Sequence, residues 1–263
     1  MNTWARERPS VLITGATRGI GHALATEFAG HGCNLVLVAR DGKQLDVVAG
    51  ELKGRFEIDI LTIAADLSQT DSAQRVFDQI EKEQIAVDIL INNAGIASYG
   101  NFAETDLQRE LRMMQINMIS PVHLAKLFLR PMLARKHGRI VNVSSLAGYQ
   151  PGGPKWAVYS ATKSFVLSFS KALGVELRGT GVSVTAICPG ATDTDFKTDN
   201  HLEQTLLYRA FAMSPARVAR SAHRGIMARR SVVVPGFINN VFAIAGELPP
   251  RRIALEVNRW LVK

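Results

Sequence analysis

Short apolar runs alternate with helix-patterned segments along the whole chain, and this alternation limits the fold more than any other feature. Between the runs, apolar residues recur at intervals of three and four, as in Leu45, Val48, Ala49 and Leu52, which is typical of amphipathic helices. The alternation predicts an α/β fold with a parallel sheet wound on both faces, which binds ligands at the carboxyl ends of its strands. The runs are Ser10–Ile13, Asn34–Ala39, Phe56–Ala65, Asp88–Gly95, Arg139–Ser145, Val182–Cys188 and Ser231–Val234.

The size of the chain fits one such domain, because 263 residues that are 47% hydrophobic can form one sizeable core. The formal charge of +8 raises the question of a nucleic acid partner. Its basic residues are scattered, with local density only at Arg217–Arg230 and Arg251–Arg259, and no aromatic-rich basic motif accompanies them. We therefore expect no nucleic acid partner.

The cysteines and histidines favour a reducing compartment and no metal. Cys33 and Cys188 each lie in an apolar β-like run, so both are expected to be buried thiols in a cytoplasmic protein. The six histidines have no Cys or His neighbours at metal-ligand spacing, and a zinc site is not expected. Met1–Ser10 lacks the long apolar segment of a signal peptide. No stretch reaches the about 18 apolar residues of a membrane-spanning helix.

A glycine-rich turn follows the first apolar run, in the segment Thr14–Gly21, and a helical pattern begins after it. Glycines permit close approach of a ligand, and the free N–H groups of a helix start attract phosphate, although glycines at such a turn also serve packing alone. The second run ends at Ala39-Arg40, where an acidic residue would bind the ribose of NAD. Arg40 together with Arg18 could instead bind a 2′-phosphate, although Asp41 is acidic and either arginine could be an ordinary surface charge.

Polar residues stand at the ends of the next two runs. Asp66 could bind an adenine amino group or cap the helix that begins near Ser68–Asp71. Asn92 and Asn93 are interpreted mainly as amides that hold neighbouring backbone together. Gly95 would leave room for a cofactor.

A helical segment over Leu107–Lys136 contains two residues that disfavour a regular helix. Asn117 lies inside it, and Pro121, four residues later, removes a backbone hydrogen bond. Together they predict a local distortion of the helix with a functional purpose.

Tyr159 and Lys163 lie four residues apart in a helical pattern that follows the loop Leu146–Val158. Residues at this spacing share one helix face, so the phenol and the ammonium can enter the same cavity. A nearby cation favours the phenolate and lowers the pKa of a tyrosine, which would make Tyr159 a proton donor to a carbonyl oxygen. The same spacing also occurs on many solvated helix faces.

Six motifs follow one another along the chain: Thr14–Gly21, Asn92–Gly95, Asn117, Ser145, Tyr159-x-x-x-Lys163 and Pro189-Gly190. In this order they resemble the motifs of the short-chain dehydrogenase/reductase family, over about residues 8–235. The resemblance implies a single Rossmann-type domain and hydride transfer between a carbonyl or alcohol carbon and NADP(H), preferred over NAD(H). It implies catalytic roles for Tyr159 as proton donor or acceptor, Ser145 as the hydroxyl that orients the substrate oxygen, Lys163 as a ribose ligand that lowers the Tyr159 pKa, and Asn117 as the holder of a relay water. The cofactor-binding residues that it implies are Gly15, Thr17, Arg18, Gly19, Ile20, Gly21, Arg40, Asp66, Leu67, Asn93, Ala94, Gly95, Tyr159, Lys163, Pro189, Gly190, Thr192 and Thr194.

Two features depart from the family pattern. The Ser145–Tyr159 spacing is one residue longer than in many members, and the chain beyond residue 235 lacks the glycine-rich ending of tetrameric members. Two other functions keep the same fold: a cofactor-binding redox sensor without turnover, and an epimerase or dehydratase. The presence of both Tyr159 and Lys163 favours the enzyme over the sensor.

Two segments near the end of the chain are expected to shape the substrate site and its surroundings. Residues 191–214 are predicted to form a lid over the pocket of a bulky, apolar small-molecule carbonyl or alcohol substrate, or to pack only onto their own domain. Residues 237–263 form an apolar and basic extension. That composition suits a helix on a membrane surface or against a second subunit, or one folded back over the pocket.

Overall fold

The computed structural model describes Trp4 and residues 8–150, 152–200, 208 and 211–247. The strands are β1 Ser10–Thr14, β2 Asn34–Ala39, β3 Ile60–Ala64, β4 Ile89–Asn92, β5 Gly138–Val143, β6 Val182–Ile187 and β7 Val232–Val233. The helices are α1 Gly19–Gly30, α2 Gly42–Arg55, α3 Ser72–Lys82, α4 Leu107–Met114, α5 Ser120–Ala134, α6 Ala157–Glu176, α7 Asp195–Asp199, α8 Pro215–Met227 and α9 Phe237–Glu247. A π-helical turn at Gln115–Ile119 joins α4 to α5, and a 3-10 turn spans Leu146–Gly148.

The described strands form one parallel sheet in the order β3-β2-β1-β4-β5-β6-β7. The order reverses between β1 and β4, which pair in parallel with Val11 opposite Ile89. In doubly wound sheets the crevice at such a reversal is where ligands bind. The prediction of a single-domain α/β fold with a Rossmann-type sheet is confirmed.

Both faces of the sheet are buried, which explains why its strands read as nearly continuous apolar runs. Alternate residues of β1 enter different layers: Val11 and Ile13 pack with Phe28 of α1, while Leu12 packs with Phe128 of α5. All five side chains are nearly or fully inaccessible to solvent. Packing in these two layers fixes the positions of the strand ends. It therefore also fixes the positions of the residues that follow each strand.

Several boundaries differ from those expected. The run Phe56–Ala65 yields only β3, because Phe56 is the C-cap of α2 and packs against the core from outside the sheet. The predicted distortion near Asn117 is confirmed as the π-helical turn, and Pro121 stands in the first turn of α5 just after it. Within the described part of the chain, no helix is both long and apolar enough to cross a membrane.

Candidate active site

One cavity of about 730 Å³ lies over the carboxyl ends of the central strands. It runs continuously from Arg40, after β2, to Tyr159 on α6, so it spans the two halves of the sheet. Asn117 does not line it, but the other predicted catalytic and cofactor residues do: Gly15, Thr17, Arg18, Gly19, Ile20, Gly21, Arg40, Asp66, Leu67, Asn93, Ala94, Gly95, Ser145, Tyr159, Lys163, Pro189, Gly190, Thr192 and Thr194.

The glycine-rich turn presents backbone to this cavity. Gly15 has a φ of +67°, and a Cβ there would lie 2.9 Å from the Cα of Ala94. A Cβ on Gly21 would lie only 2.0 Å from the carbonyl oxygen of Gly15. No side chain caps the start of α1, and its first turn holds no acidic residue. The first N–H groups of α1 are therefore suited to an anion such as a pyrophosphate.

Asn93 holds the backbone next to the turn, and Asn92 donates to the carbonyl oxygen of Pro121 on α5 at 3.3 Å, so both amides have the structural role that was expected. Nδ2 of Asn93 donates to the carbonyl oxygens of Thr14 at 2.9 Å and Gly15 at 3.2 Å. Nδ2 of Asn92 donates to Oδ1 of Asn142 at 2.9 Å. The sequence analysis missed Thr14, whose hydroxyl accepts hydrogen bonds from the N–H of Asn93, at 3.0 Å. A threonine at a strand end is too common to have signalled this role.

The two predicted phosphate ligands have different surroundings. Arg18 pairs with Asp199 at 2.6 Å and with Asp195 at 3.5 Å, both on α7, and is largely exposed. Arg40 is exposed at the cavity rim. The neighbouring acid, Asp41, caps α2 by accepting from the N–H of Gln44 at 3.1 Å. The capping of α2 therefore explains an acidic residue after β2 without a role in binding the ribose.

Asp66 has a similar local task. Its Oδ1 accepts from the N–H of Ser68 at 3.0 Å, and its carbonyl oxygen accepts from the hydroxyl of Ser72 at 2.6 Å. The helix itself starts later than expected, with α3 at Ser72 and Asp71 as its N-cap. Asp66 thus shapes the turn before α3 while it lines the cavity.

Tyr159 and Lys163 lie one turn apart on α6, and the Lys163 ammonium is 5.7 Å from the centre of the Tyr159 ring. Lys163 donates to the carbonyl oxygen of Val143, at the end of β5, at 3.0 Å. The Ser145 side chain lies beside the Tyr159 hydroxyl, where its interaction acts to lower the Tyr159 pKa, and its oxygen accepts from the N–H of Ala147 at 3.1 Å. Ser144 instead donates to the carbonyl oxygen of Lys163 at 2.7 Å. Of the two serines after β5, Ser145 therefore faces the tyrosine and Ser144 fastens α6.

The pKa values of this pair differ from those the sequence analysis expected. Burial raises the pKa of Tyr159 to about 12, against the opposing effect of the Ser145 side chain. Burial also lowers the pKa of Lys163 to about 8. The structure does not give the lowered Tyr159 pKa that was expected from Lys163, because burial removes the phenolate from water and raises that pKa. Tyr159 is therefore a protonated phenol at neutral pH.

Asn117 lies behind the cavity, in the π-helical turn, and is buried. Its Oδ1 accepts from the N–H of Ile96 at 3.0 Å, and its Nδ2 donates to the carbonyl oxygen of Ile96 at 3.0 Å and to the hydroxyl of Thr162 at 3.1 Å. A Cβ on Gly95 would press on both Oδ1 of Asn117, at 3.2 Å, and Nζ of Lys163, at 3.4 Å. Gly95 therefore makes room for these two side chains.

An aromatic row covers the Tyr159 end of the cavity. The Tyr159 ring lies 5.1 Å from Trp156 and 5.7 Å from Phe196 of α7. The two ends of the segment 191–214 meet, since the N–H of Asp193 donates to the carbonyl oxygen of Met213 at 2.9 Å. The segment thus leaves the sheet and returns to it beside the cavity. Residues 201–207, 209 and 210 of the predicted lid lie outside the described residues.

Phe242 joins the site from the extension, and two residues of the predicted lid, Asn200 and Tyr208, also line the cavity. Phe242 of α9 lines the cavity and packs edge-on against Phe211 at 5.9 Å. Tyr208 also lines it, and burial, followed by the nearness of Tyr159, raises the pKa of its hydroxyl. Oδ1 of Asn200 is buried without a hydrogen bond to any described residue. No sequence motif marks these positions, because the tertiary fold, and not a local pattern, brings their segments to the cavity.

Comparison with known proteins agrees with this geometry. The family model for short chain dehydrogenases matches residues 9–205, so the chain belongs to the short-chain dehydrogenase family. It is similar to the oxidoreductase UcpA of Escherichia coli strain K12, at 36% identity over 186 residues, which cover 70% of each chain. The protein is therefore an oxidoreductase of this family.

Two solved structures extend the likeness over most of the chain. A short-chain dehydrogenase from Sphingobium yanoikuyae in complex with NADPH is 33% identical, with a TM-score of 0.82, over 90% of this chain and 92% of the other. The bulky-bulky ketone specific alcohol dehydrogenase from Comamonas testosteroni is also 33% identical, with a TM-score of 0.76, over 87% and 86%.

Proposed function

We propose that this protein is an NADP(H)-dependent carbonyl reductase, or the corresponding secondary-alcohol dehydrogenase. The observation that carries the proposal is that Ser145, Tyr159 and Lys163 line one cavity, which continues to the open start of α1. Such a cavity suits a dinucleotide at one end and a reacting carbonyl group at the other.

The chain's own groups supply the acid chemistry. The bound cofactor supplies the hydride. The Ser145 hydroxyl donates a hydrogen bond to the substrate oxygen and polarises the carbonyl, and Tyr159 gives its proton to that oxygen. A phenol whose pKa is raised to about 12 keeps this proton at neutral pH, as a proton donor in the reductive direction must. Lys163 would hold the nicotinamide ribose. The side-chain amide of Asn117 is bonded to Ile96 and Thr162, so Asn117 would hold a relay water through the backbone of its π-helical turn.

Preference for NADP(H) over NAD(H) rests on charge at the adenosine end. Strand β2 ends at Ala39 without an acid, Asp41 is engaged as a helix cap, and Arg18 and Arg40 line the cavity. Guanidinium groups bind phosphate through charge-assisted hydrogen bonds. The NADPH complex of the Sphingobium relative supports the same preference.

The substrate is a bulky, apolar ketone or aldehyde. Trp156, Phe196 and Phe242 give the Tyr159 end of the cavity a large apolar lining, as expected for such a ligand. The name of the Comamonas relative supports a bulky ketone. In this proposal residues 191–214 form the substrate lid and α9, the first part of the 237–263 extension, closes the pocket from the side.

The outer face of α9 leaves Phe237, Ile238, Val241 and Ile244 exposed. We assign this face to contact between two copies of a cytoplasmic protein, with peripheral membrane contact as the other candidate. Light scattering and liposome flotation of the full-length protein with and without Ile244→Ser distinguish them. Residues 248–263 of the extension lie outside the described residues.

The function is tested by following NADPH consumption with a panel of ketones and aldehydes that ranges from small to steroid- or acyl-sized. We expect turnover with bulky apolar members and little with small ones. NADPH binding without turnover of any member would favour a redox sensor instead.

Charge reversal at the cofactor site should change cofactor choice. We expect Arg40→Asp to weaken NADPH binding and spare NADH, because one charge-assisted hydrogen bond contributes about 1.5–3 kcal/mol, or roughly 10- to 150-fold in affinity. Fluorescence titration of both cofactors measures the change. Arg178→Asp, an exposed position outside the cavity, is the matched control. Equal losses for NADH and NADPH in Arg40→Asp would make that arginine structural.

NADPH affinity should depend on the charge of Lys163. Since burial lowers the Lys163 pKa to about 8, the protonated amine dominates below that pH and is lost as the pH rises through it. We expect NADPH binding to weaken progressively above pH 8, well below the ordinary titration of lysine. Fluorescence titration between about pH 6 and about pH 10 measures this. An equally steep loss in Lys163→Ala would assign the pH dependence to another group.

A further inference from the structure

Three metal-ligating side chains meet on the side of the molecule away from the active-site cavity. Glu27 and His31 lie one turn apart at the carboxyl end of α1, and His223 reaches them from α8. Each offers one ligand atom, and these three atoms lie within 4.8 Å of one another. Nε2 of His31 is 3.5 Å from Oε1 of Glu27, and the rings of His31 and His223 stack at 3.9 Å between centroids.

Packing between the two helices fixes the backbone positions of this cluster. Phe28 of α1 is fully buried with Ala219 and Ala222 of α8. The edge of the Phe28 ring also contacts His223, at 5.0 Å between centroids. The His31 side chain is 53% exposed and the Glu27 side chain 21% exposed, so an ion can reach the cluster from solvent.

We propose that Glu27, His31 and His223 bind a divalent transition metal ion, with Zn²⁺ as the ion that the donors suit best. Two imidazole nitrogens and one carboxylate oxygen are ligands that Zn²⁺ takes in proteins, with water in the fourth position. Glu27 and His31 share one helix face through their spacing of four residues. The ion would fasten the end of α1 to α8.

Binding requires one adjustment of the side chains. The lone pair of an imidazole nitrogen lies in the ring plane, so two stacked rings, here 2° from parallel, do not point at a common centre. Zn–N bonds of about 2.0–2.1 Å also place two tetrahedral ligands about 3.3 Å apart. Rotation of the half-exposed His31 ring would correct both the ring orientation and the ligand distance. The ring is free to rotate because its side chain lies at the end of the helix.

An ion pair between Glu27 and a protonated His31 is a simpler explanation of why these two side chains lie close together. It leaves out His223, whose ring stacks on that of His31 and offers a third ligand atom to the same point. The sequence analysis expected no metal because it compared only His and Cys spacings. The third ligand here is a glutamate, and His223 comes from a distant helix.

The test uses the full-length protein, purified without a polyhistidine tag and freed of metal by a chelator. Zn²⁺ binding is measured by equilibrium dialysis and thermal unfolding in wild type, Glu27→Gln, His31→Ala and His22→Ala. His22 is the matched control, since it also lies on α1 beside a glutamate, at 3.6 Å from Glu51, and belongs to no group of three ligands among the described residues.

We expect one Zn²⁺ per chain in wild type and in His22→Ala, with a raised unfolding temperature. Loss of an outer-shell partner typically costs 10- to 100-fold in metal affinity, so loss of a direct ligand in Glu27→Gln or His31→Ala should cost at least about 100-fold. Without metal, all four proteins should unfold at similar temperatures. Absence of stoichiometric Zn²⁺ binding in wild type, or equal affinity in His31→Ala, would overturn the proposal.

Discussion

Replacement of Tyr159 by phenylalanine should reduce kcat by about 10²- to 10⁴-fold, the usual contribution of general acid catalysis. Only the hydroxyl is removed, and the ring keeps its contacts with Trp156 at 5.1 Å and Phe196 at 5.7 Å. NADPH affinity should therefore stay close to that of wild type. Steady-state kinetics with the best ketone of the panel, together with fluorescence titration of NADPH, measures both quantities.

Tyr99→Phe is the matched control for this variant. Tyr99 belongs to the same aromatic row, with its ring 5.0 Å from Trp156, but it does not line the cavity. Its replacement should leave kcat nearly unchanged. Substantial residual kcat in Tyr159→Phe would remove that tyrosine from the role of proton donor.

Replacement of Lys163 by alanine should lower both NADPH affinity and kcat, unlike the change at Tyr159. The affinity should fall by roughly 10- to 150-fold if the ammonium donates a charge-assisted hydrogen bond to the cofactor ribose. The cavity would also lose the cation whose Nζ lies 5.7 Å from the centre of the Tyr159 ring. Titration and single-turnover kinetics separate the two effects.

Lys171→Ala is a control on the same helix, since Lys171 does not line the cavity. It should bind NADPH as wild type does. A Lys163→Ala variant that binds NADPH normally and loses only kcat would restrict the lysine to an effect on Tyr159.

Local patterns were sufficient to predict the fold and most of the cofactor and catalytic residues that line the cavity. A strand that is buried on both faces appears in the sequence as an apolar run, and an amphipathic helix appears as apolar residues spaced by three and four. The carboxyl ends of parallel strands meet at one edge, so residues that follow β1, β4 and β5 come together without further information. The distortion at Asn117 was likewise predictable, because Asn117 and Pro121 both oppose a regular helix.

Properties that depend on tertiary surroundings were not predictable. The raised pKa of Tyr159 arises from burial, which no spacing of residues reveals. The pairing of Arg18 with Asp195 and Asp199 depends on where α7 lies over the turn before α1. Phe242 enters the cavity because α9 turns back toward it.

The most direct measurement of the proposed function is the transfer of deuterium from NADPH labelled at C4 of the nicotinamide ring to a bulky ketone. Mass spectrometry of the product should find one deuterium on the carbinol carbon, with the yield of labelled alcohol equal to the NADPH consumed. Product that contains no deuterium, formed without consumption of NADPH, would contradict carbonyl reduction and favour an epimerase or dehydratase on the same fold.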